Sequence, residues 1–359
     1  MAGASMSGGA GASAGGSAGA GLSGSSGASA GGAAAATGGA SSGGSAGKGG
    51  TSGTSGTGGT SGAAGAAGAA GSGKFVGNIT TGGQVRSDFA TYWNQISPEN
   101  EGKWGSVEAT KDVMSWAGLD AVYAYTKAHG TLFKQHNFVW GQQQPSWLGA
   151  LSAADQKAQV EQWIQLFCAR YPDVALIDVV NEPTHNQPPY MNAIGGAGSS
   201  GYDWVVQSLK WAHQYCPSAK LLVNDYNNIE YGADRDNFIK LIKAVKAAGA
   251  PLDGVGAQAH DAYKLSVNTV QTNLDAVATQ TGLPVYITEL DVNEANDATQ
   301  KTELQNLMTL FETDANVKAI TLWGYIVGQT WETNTGLMTA SGNMRPAMQW
   351  LVGSGYLLK

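Results

Sequence analysis

From residue 75 onward, the chain alternates between two patterns of hydrophobic positions. Short runs rich in valine, isoleucine, leucine and aromatic residues are bounded by polar or turn residues, which is typical of buried strands. They predict strands at Phe75–Asn78, Gln95–Ser97, Thr131–Trp140, Ala175–Asn181, Lys220–Asn224, Gly254–His260, Pro284–Asp291 and Ala319–Tyr325. Between them, apolar residues recur at helical spacing and predict helices at Asp88–Asn94, Met114–His129, Ala153–Tyr171, Asp203–Tyr215, Asp234–Ala248, Val267–Thr281, Thr299–Thr313 and Ala347–Leu351.

Strands that alternate one by one with helices pair in parallel through crossover connections. Capping residues support this division, because Ser152 can cap the helix that follows it, and Gly130, Gly249 and Gly282 stand where a left-handed residue ends a helix. We therefore predict an α/β fold, and the count of eight strands and eight helices favours a closed (β/α)8 TIM barrel over an open sheet.

The first 73 residues differ in composition from the rest of the chain. They consist almost entirely of Gly, Ala, Ser and Thr, with Lys48 as their one charged residue. Such a segment buries too little apolar surface to offset the entropy lost on ordering, so we expect a disordered, flexible linker over residues 1–73 and a barrel domain over residues 74–359. Long tethers of this kind are typical of exported enzymes. We expect a secreted or cell-surface-tethered protein, although no signal-peptide pattern opens the chain; a cytosolic protein with a disordered tail is the alternative.

Charge and cysteine content narrow the class of protein further. The formal net charge is −7, which argues against a nucleic-acid partner, and no run of 18 apolar residues predicts a membrane span. The two cysteines, Cys168 and Cys216, each lie near the end of a predicted helix, and they could form one disulfide or remain two buried thiols. Neither has a second ligand at metal-binding spacing, so we expect no metal site. We also expect that the protein has no cofactor and is a monomer.

Polar and aromatic side chains recur where the predicted strands end. A barrel carries its chemistry at the C-terminal ends of its strands. In chain order, these ends supply Glu99, Asn100, His136, Trp140, Asn181, Glu182, Asp225, Tyr226, Gln258, His260, Glu289, Asp291 and Trp323. Such a concentration at one rim predicts a binding or catalytic cleft.

Two carboxylates, Glu182 and Glu289, follow hydrophobic runs on the fourth and seventh strands and so face each other across the barrel mouth. Glycosidic cleavage needs one protonated and one ionised carboxyl group. A single Glu at such a place is more often a solvated cap or rim salt bridge, but the neighbouring Asn181, His260 and tryptophans favour the catalytic interpretation. His260 could orient a carboxylate, or could bond only to backbone. The large aromatic residues could be core, or could stack on sugar rings.

These residues belong to motifs that resemble those of glycoside hydrolase family 10, a family of retaining endo-β-1,4-xylanases. The runs are ISPENEGKW, FKQHNFVW with Q-x-P-x-W, DVVNEP, NDYN, GVGAQAH, ITELDV and LWG…W, in the family's order from residue 75 to about 351. The resemblance implies that Glu182 is the acid/base and Glu289 the nucleophile, supported by Asn181 and His260. It also implies a polysaccharide substrate, xylan or a related β-xylan, with binding residues at Glu99, Asn100, Lys103, His136, Trp140, Gln143, Tyr226, Gln258, Trp323 and Trp331.

Two departures from the family pattern fall beside the sugar-binding region. Gly141 stands where the family usually has His after Trp, and Ile326 and Val327 stand where it commonly has a Thr-Asp pair. We expect the missing imidazole to leave a gap that could shift specificity, for example towards mixed-linkage β-1,3/β-1,4-xylan. A catalytically inactive carbohydrate-binding protein is a further alternative, against which the intact Glu pair argues.

Overall fold

The computed structural model describes residues 74–357, and in them eight parallel strands close into a barrel in chain order, from β1 to β8. The strands are β1 (Phe75–Ile79), β2 (Gln95–Ser97), β3 (Leu132–Val139), β4 (Leu176–Asn181), β5 (Lys220–Asp225), β6 (Gly254–Ala257), β7 (Val285–Leu290) and β8 (Val317–Leu322). The helices are α1 (Phe89–Tyr92), α2 (Trp104–Val107), α3 (Ala117–His129), α4 (Ala153–Arg170), α5 (Asp203–Tyr215), α6 (Gly232–Ala247), α7 (Val267–Thr281), α8 (Asp297–Thr313) and α9 (Pro346–Gly353). The predicted (β/α)8 barrel is therefore confirmed.

The largest differences from the predicted elements lie at the barrel mouth. β6 ends at Ala257 rather than at residue 260, because the next residues leave the sheet and Ala259 adopts a left-handed φ of 66°. β8 likewise ends before Trp323, and Gly324 turns the chain with φ 99°. The short helix α2 was not predicted. In each case the residues at the barrel mouth belong to connecting loops. Apolar residues in such loops follow neither the spacing of a strand nor that of a long helix, so the sequence pattern does not locate them.

The predicted helix caps are confirmed at several positions. The Ser152 hydroxyl accepts a hydrogen bond from the backbone N–H of Asp155 at 3.2 Å and caps α4. Gly130 and Gly282 end α3 and α7 with φ of 67° and 65°, in the left-handed region that glycine adopts at least cost.

Tryptophan rings form much of the packing between the barrel and the helices next to β3. Trp163 is fully buried on α4 and stacks against Trp104 of α2 and Trp116, with ring centroids 6.3 and 5.9 Å apart. Edge-on contacts continue this cluster to Phe138 at the end of β3, 6.0 Å away. The cluster packs the segment after β2, which carries Trp104 and Trp116, against α4 and β3.

Cys168 and Cys216 form a disulfide, with Cα atoms 5.2 Å apart. The bond joins the C-terminal ends of α4 and α5. Barrel helices run opposite to the strands, so this bond lies at the end of the barrel away from the strand C-termini.

The barrel interior is polar towards its C-terminal end. Asn224 of β5 is fully buried and accepts a hydrogen bond from the Thr288 hydroxyl at 2.6 Å. Gly256 of β6 makes room for it, because a Cβ there would lie 2.3 Å from Asn224 Oδ1. Lower in the barrel, buried Lys134 pairs with Asp178. These groups support the rim from beneath.

The predicted linker, residues 1–73, lies outside the described residues. Within the described part, no helix is both long and apolar enough to cross a membrane.

Candidate active site

One cleft of about 490 Å³ opens at the C-terminal ends of the strands. The structure brings all of the sequence-predicted catalytic, supporting and sugar-binding residues into its walls. They are Glu99, Asn100, Lys103, His136, Trp140, Gln143, Asn181, Glu182, Tyr226, Gln258, His260, Glu289, Trp323 and Trp331. Side chains from most of the strand ends thus converge on one space.

Glu182 follows β4 and is 8% exposed. Its φ of 55° is a left-handed conformation that non-glycine residues seldom adopt, and such strain is concentrated at functional sites. Its Oε2 accepts hydrogen bonds from Trp140 Nε1 at 2.7 Å and Asn186 Nδ2 at 2.6 Å. Its Oε1 accepts one from Gln258 Nε2 at 3.0 Å. Burial raises the pKa of Glu182, and the negative charge of Glu289 raises it further.

Glu289 lies near the end of β7 and is 4% exposed. Its Oε1 accepts a hydrogen bond from Asn224 Nδ2 at 2.8 Å, and its Oε2 lies 3.3 Å from His260 Nε2. Burial alone would raise the pKa of Glu289, but the positive charges of His136 and His260 outweigh it and lower the pKa to about 2.

His260 connects Glu289 to a second carboxylate. Its Nδ1 lies 3.2 Å from Asp291 Oδ1. Burial opposes protonation of His260, but the carboxylates of Asp291 and Glu289 prevail and raise its pKa well above the ordinary value. Trp331, 54% exposed, donates from Nε1 to Asp291 Oδ2 at 2.6 Å. A rim tryptophan is thereby linked through Asp291 and His260 to Glu289.

The two carboxyl groups share a hydrogen-bonded support. Asn224 Nδ2 donates to Glu289 Oε1 and to Asn181 Oδ1, both at 2.8 Å, and Asn181 Nδ2 lies 3.3 Å from Glu182 Oε1. Glu182 therefore keeps its proton to a higher pH than Glu289 while both are held in one network. One carboxyl group that donates a proton beside one that stays ionised is the pairing that glycosidic cleavage requires.

Lys103, His136 and Trp140 form one wall of the cleft. Lys103 is 4% exposed and its Nζ lies 4.4 Å from the centroid of the Trp140 ring. Burial lowers the pKa of Lys103 to about 8, against the attraction of the surrounding carboxylates. Burial and Lys103 together lower the pKa of His136, whose Nδ1 is 2.8 Å from Asp178 Oδ2. Near neutral pH Lys103 thus supplies a positive charge in this wall of the cleft.

The remaining predicted residues lie on either side of the carboxylates. On one side, Gln143 Nε2 donates to Asn100 Oδ1 at 3.1 Å, and burial raises the pKa of the neighbouring Glu99. Trp323 packs edge-on against His136, with centroids 4.9 Å apart. Tyr226 lies at the end of β5 on the other side.

Several site residues were missed by the sequence analysis. Gln142, Asn186, Asn227 and Asp261 also line the cleft. They lie in loops after strand ends, where sequence alone does not show which side chains turn inwards. Asn224 had a detectable signal, since a polar residue inside an apolar strand predicts an inward-facing contact in a barrel.

The prediction of a gap beside Gly141 is wrong. A Cβ at this position would lie 2.3 Å from the backbone oxygen of Asn186 and 2.8 Å from that of Gln187. The loop after β4 fills the space that an imidazole would need. Gly141 is therefore required by close backbone approach and does not enlarge the cleft.

Comparison with known proteins places this site in a family. The sequence model of Glycosyl hydrolase family 10 matches residues 61–354. The chain is 46% identical over 283 residues to the endo-1,4-beta-xylanase B of Cellvibrio japonicus (strain Ueda107), covering 78% of this chain and 46% of that protein. It is 31% identical over 258 residues to the endo-1,4-beta-xylanase C of Phanerodontia chrysosporium, covering 69% of this chain and 64% of that protein. The chain thus spans less than two thirds of the length of either relative.

A solved structure, described as GH10 from Paenibacillus barcinonensis, superposes with a TM-score of 0.71. It is 20% identical and covers 79% of this chain and 96% of that chain, which shows a shared fold. The family model matches most of the length of this chain, and both the fold and the motifs around the two carboxyl groups agree with that match. The chain belongs to Glycosyl hydrolase family 10.

Proposed function

We propose that this protein is a retaining, endo-acting glycoside hydrolase that cleaves the backbone of β-1,4-xylan. The observation that carries the proposal is the pair Glu182 and Glu289, which share one cleft and have their pKa values shifted in opposite directions. The names of the relatives support xylan as the substrate. Side chains on both sides of the carboxyl groups support binding of an internal stretch of a polymer.

In the proposed mechanism, ionised Glu289 attacks the anomeric carbon while Glu182 donates its proton to the departing glycosidic oxygen. A covalent glycosyl-enzyme results. Glu182, now ionised, takes a proton from water, which attacks the same carbon and releases Glu289. For this double displacement we expect the carboxyl groups to lie about 5–5.5 Å apart. Asn224 and His260 orient Glu289, and Trp140 and Asn186 orient Glu182.

The alternative of mixed-linkage β-1,3/β-1,4-xylan has lost one of its two supports, because Gly141 leaves no gap. The other departure remains, since the loop after β8 carries Ile326 and Val327. Hydrolysis of β-1,4-, β-1,3- and mixed-linkage xylans, with sizing of the products, separates these specificities. A protein that binds xylan and releases no reducing sugar would be a binding module instead.

The roles of the two Glu residues can be tested with alanine variants, an aryl xylobioside and azide. Glu182→Ala should keep the first step, because a good leaving group needs no proton, and azide should accelerate turnover and give a glycosyl azide of retained configuration. Glu289→Ala should give only a slow product of inverted configuration with azide. Glu303→Ala, on the outer helix α8, is the control and should behave as wild type. Equal losses without azide rescue in both variants would refute the assignment.

We also propose that the protein acts outside the cell as a monomer, with residues 1–73 as a tether. The disulfide between Cys168 and Cys216 supports an oxidising compartment, and the composition of residues 1–73 supports a tether. The construction of the whole cleft from one chain supports a monomer. Fractionation of the producing cells, followed by size-exclusion chromatography with light scattering, tests both.

A further inference from the structure

His185 lies in the loop after β4, behind the wall of the cleft rather than in it. Its imidazole stacks on the ring of Tyr226, with centroids 3.9 Å apart and planes inclined by 19°. Tyr226 lines the cleft, whereas the His185 side chain is 19% exposed and is not among the lining residues. The imidazole therefore packs on the outer face of the Tyr226 ring and does not contact the space that a sugar would occupy.

Asp225 anchors this stack. It is fully buried at the end of β5, and its Oδ1 lies 2.7 Å from His185 Nδ1 and accepts from the backbone N–H of Tyr226 at 3.0 Å. Its Oδ2 accepts from the N–H of Thr184 at 2.9 Å and from the Thr184 hydroxyl at 2.7 Å. One carboxylate thus joins the loop after β4 to the loop after β5, with His185 and Tyr226 as stacked rings across the junction.

The same turn carries the proposed acid/base. The backbone N–H groups of His185 and Asn186 donate to the carbonyl oxygen of Glu182 at 3.1 and 2.7 Å. The side chain of Asn186 then donates to Glu182 Oε2. One turn of backbone thus carries both His185, which packs on Tyr226, and Asn186, which bonds to Glu182.

The charged groups that face His185 are both acidic. Asp225 of β5 contacts its Nδ1, and Asp234 of α6 lies 3.5 Å from its Nε2. The hydrogen bond to Asp225 is the main cause that raises the pKa of His185, and it outweighs burial. The ring that faces it, Tyr226, has a pKa raised above the ordinary phenol value and stays neutral through the same pH range.

We propose that His185 is a positioning residue that fixes the ring of Tyr226 and thereby sets affinity for the sugar on the leaving-group side of the cleft. The inference rests on the proposed function, because it assumes that a xylose unit stacks on Tyr226. A stacked ring held by two carboxylates restricts the tyrosine to one rotamer, so that less conformational entropy is lost when a sugar binds.

The test measures how the glycosyl-enzyme divides between water and an added sugar. The full-length chain is given an aryl xylobioside as donor and xylobiose as acceptor, and the ratio of transfer to hydrolysis is recorded. Both routes need Glu182 as base, so this ratio is insensitive to titration of Glu182 and reports affinity on the leaving-group side. His185→Ala should lower the ratio about two- to ten-fold, the range that one aromatic pair controls, with release of the aryl group changed less than two-fold.

A second variant separates stacking from hydrogen bonding. His185→Asn can keep the hydrogen bond to Asp225 but has no ring, so it should fold like wild type and still show the lower ratio. In wild type the ratio should fall as pH rises through the raised pKa of His185, and neither variant should show this dependence. His213→Asn, on the exposed face of α5, is the matched control and should change nothing.

The two proposals fail in different ways. Wild type that releases neither the aryl group nor products from xylan would refute the proposed function. An active wild type whose transfer ratio and pH dependence are unchanged in His185→Ala and in His185→Asn would refute the role of His185 alone.

Discussion

Lys103 illustrates how a single side chain in this cleft costs stability. It is almost fully buried, and its pKa of about 8 lies below the ordinary value because burial disfavours the charged form more than the carboxylates favour it. Between pH 8 and the ordinary pKa, an unfolded chain holds a proton on this lysine that the folded chain has released, so its contribution to stability rises with pH in that window. Below pH 8 the folded protein carries the buried charge at a cost.

We predict that Lys103→Met raises the free energy of unfolding at pH 7 by about 1–3 kcal/mol, because it removes this cost. The gain should shrink towards pH 10, where the wild-type lysine is already neutral when folded. Activity on xylan should fall at least about ten-fold, since a cation beside the carboxyl pair is lost.

Urea unfolding at the two pH values, with xylan hydrolysis at pH 7, checks this prediction. Lys157→Met, at an exposed position on α4, is the control and should alter neither quantity. A Lys103→Met protein that is less stable at pH 7 would mean that its ring contact with Trp140 outweighs the burial cost.

The residue types of the site could be predicted because chemistry limits them. Glu182 and Glu289 stand at strand ends and His260 follows three residues after β6, and both barrel topology and the family motifs lead to them. Asn186 and Asp261 could not be found in the same way, because their approach to the cleft depends on how a loop folds back after its strand. The stacking of His185 on Tyr226 was also missed, since His185 reads as an ordinary loop residue.

Among the elements, the strands were predictable and the loops that join them were not. Apolar runs identify β4 and β7 almost to the residue, because a strand buried on both faces consists mainly of apolar residues. The contact between the loops after β3 and β4 gave no periodic signal. Gly141 was therefore interpreted as a missing side chain, although it is the point where the backbone of the loop after β3 closely approaches that of the loop after β4.

At this loop contact we predict that Gly141→Ala is harmful even though it adds one methyl group. The new Cβ would meet the backbone oxygen of Asn186, so the loop must shift, and overpacking of this kind costs about 1–3 kcal/mol. Because Asn186 donates to Glu182, proton donation should suffer most. Activity on xylan should thus fall more than activity on an aryl xylobioside with a good leaving group, which needs no proton.

The control is Gly149→Ala, since a Cβ at Gly149 would meet nothing within 4 Å. Thermal unfolding and the two activity assays are measured on both variants. Equal activity of Gly141→Ala and wild type on both substrates would show that the loop yields without disturbing Glu182.

For the molecule as a whole, the disulfide should contribute to stability and not to chemistry. Cys168 and Cys216 are 48 residues apart in sequence and join helix ends at the far end of the barrel from the cleft. We predict that the double variant Cys168→Ala, Cys216→Ala loses about 2–4 kcal/mol of unfolding free energy, because the cross-link restricts the unfolded chain. Its activity on xylan at 25 °C should equal that of wild type.

Chemical denaturation with and without dithiothreitol tests this. Reduced wild type should match the double variant, and the reductant should have no effect on the variant itself. Loss of activity at 25 °C in a folded double variant would show that the helix ends act on the cleft.

Closure of the barrel between β1 and β8 has a consequence for how this protein can be assayed. β1 pairs with β8, and Asn78 of β1 accepts a hydrogen bond from the backbone N–H of Gly324, which begins the loop that carries Trp331. Trp323 and Trp331, which follow β8, line the same cleft as Glu99 and Asn100, which follow β2, and the pairing of β1 with β8 brings these two sets of residues together. Turnover is therefore a reporter of assembly: a proteolytic half, a permuted chain that fails to rejoin, or an intermediate with seven strands paired should be silent. Recovery of activity during refolding should coincide with the last step of closure rather than with the earlier gain of helix.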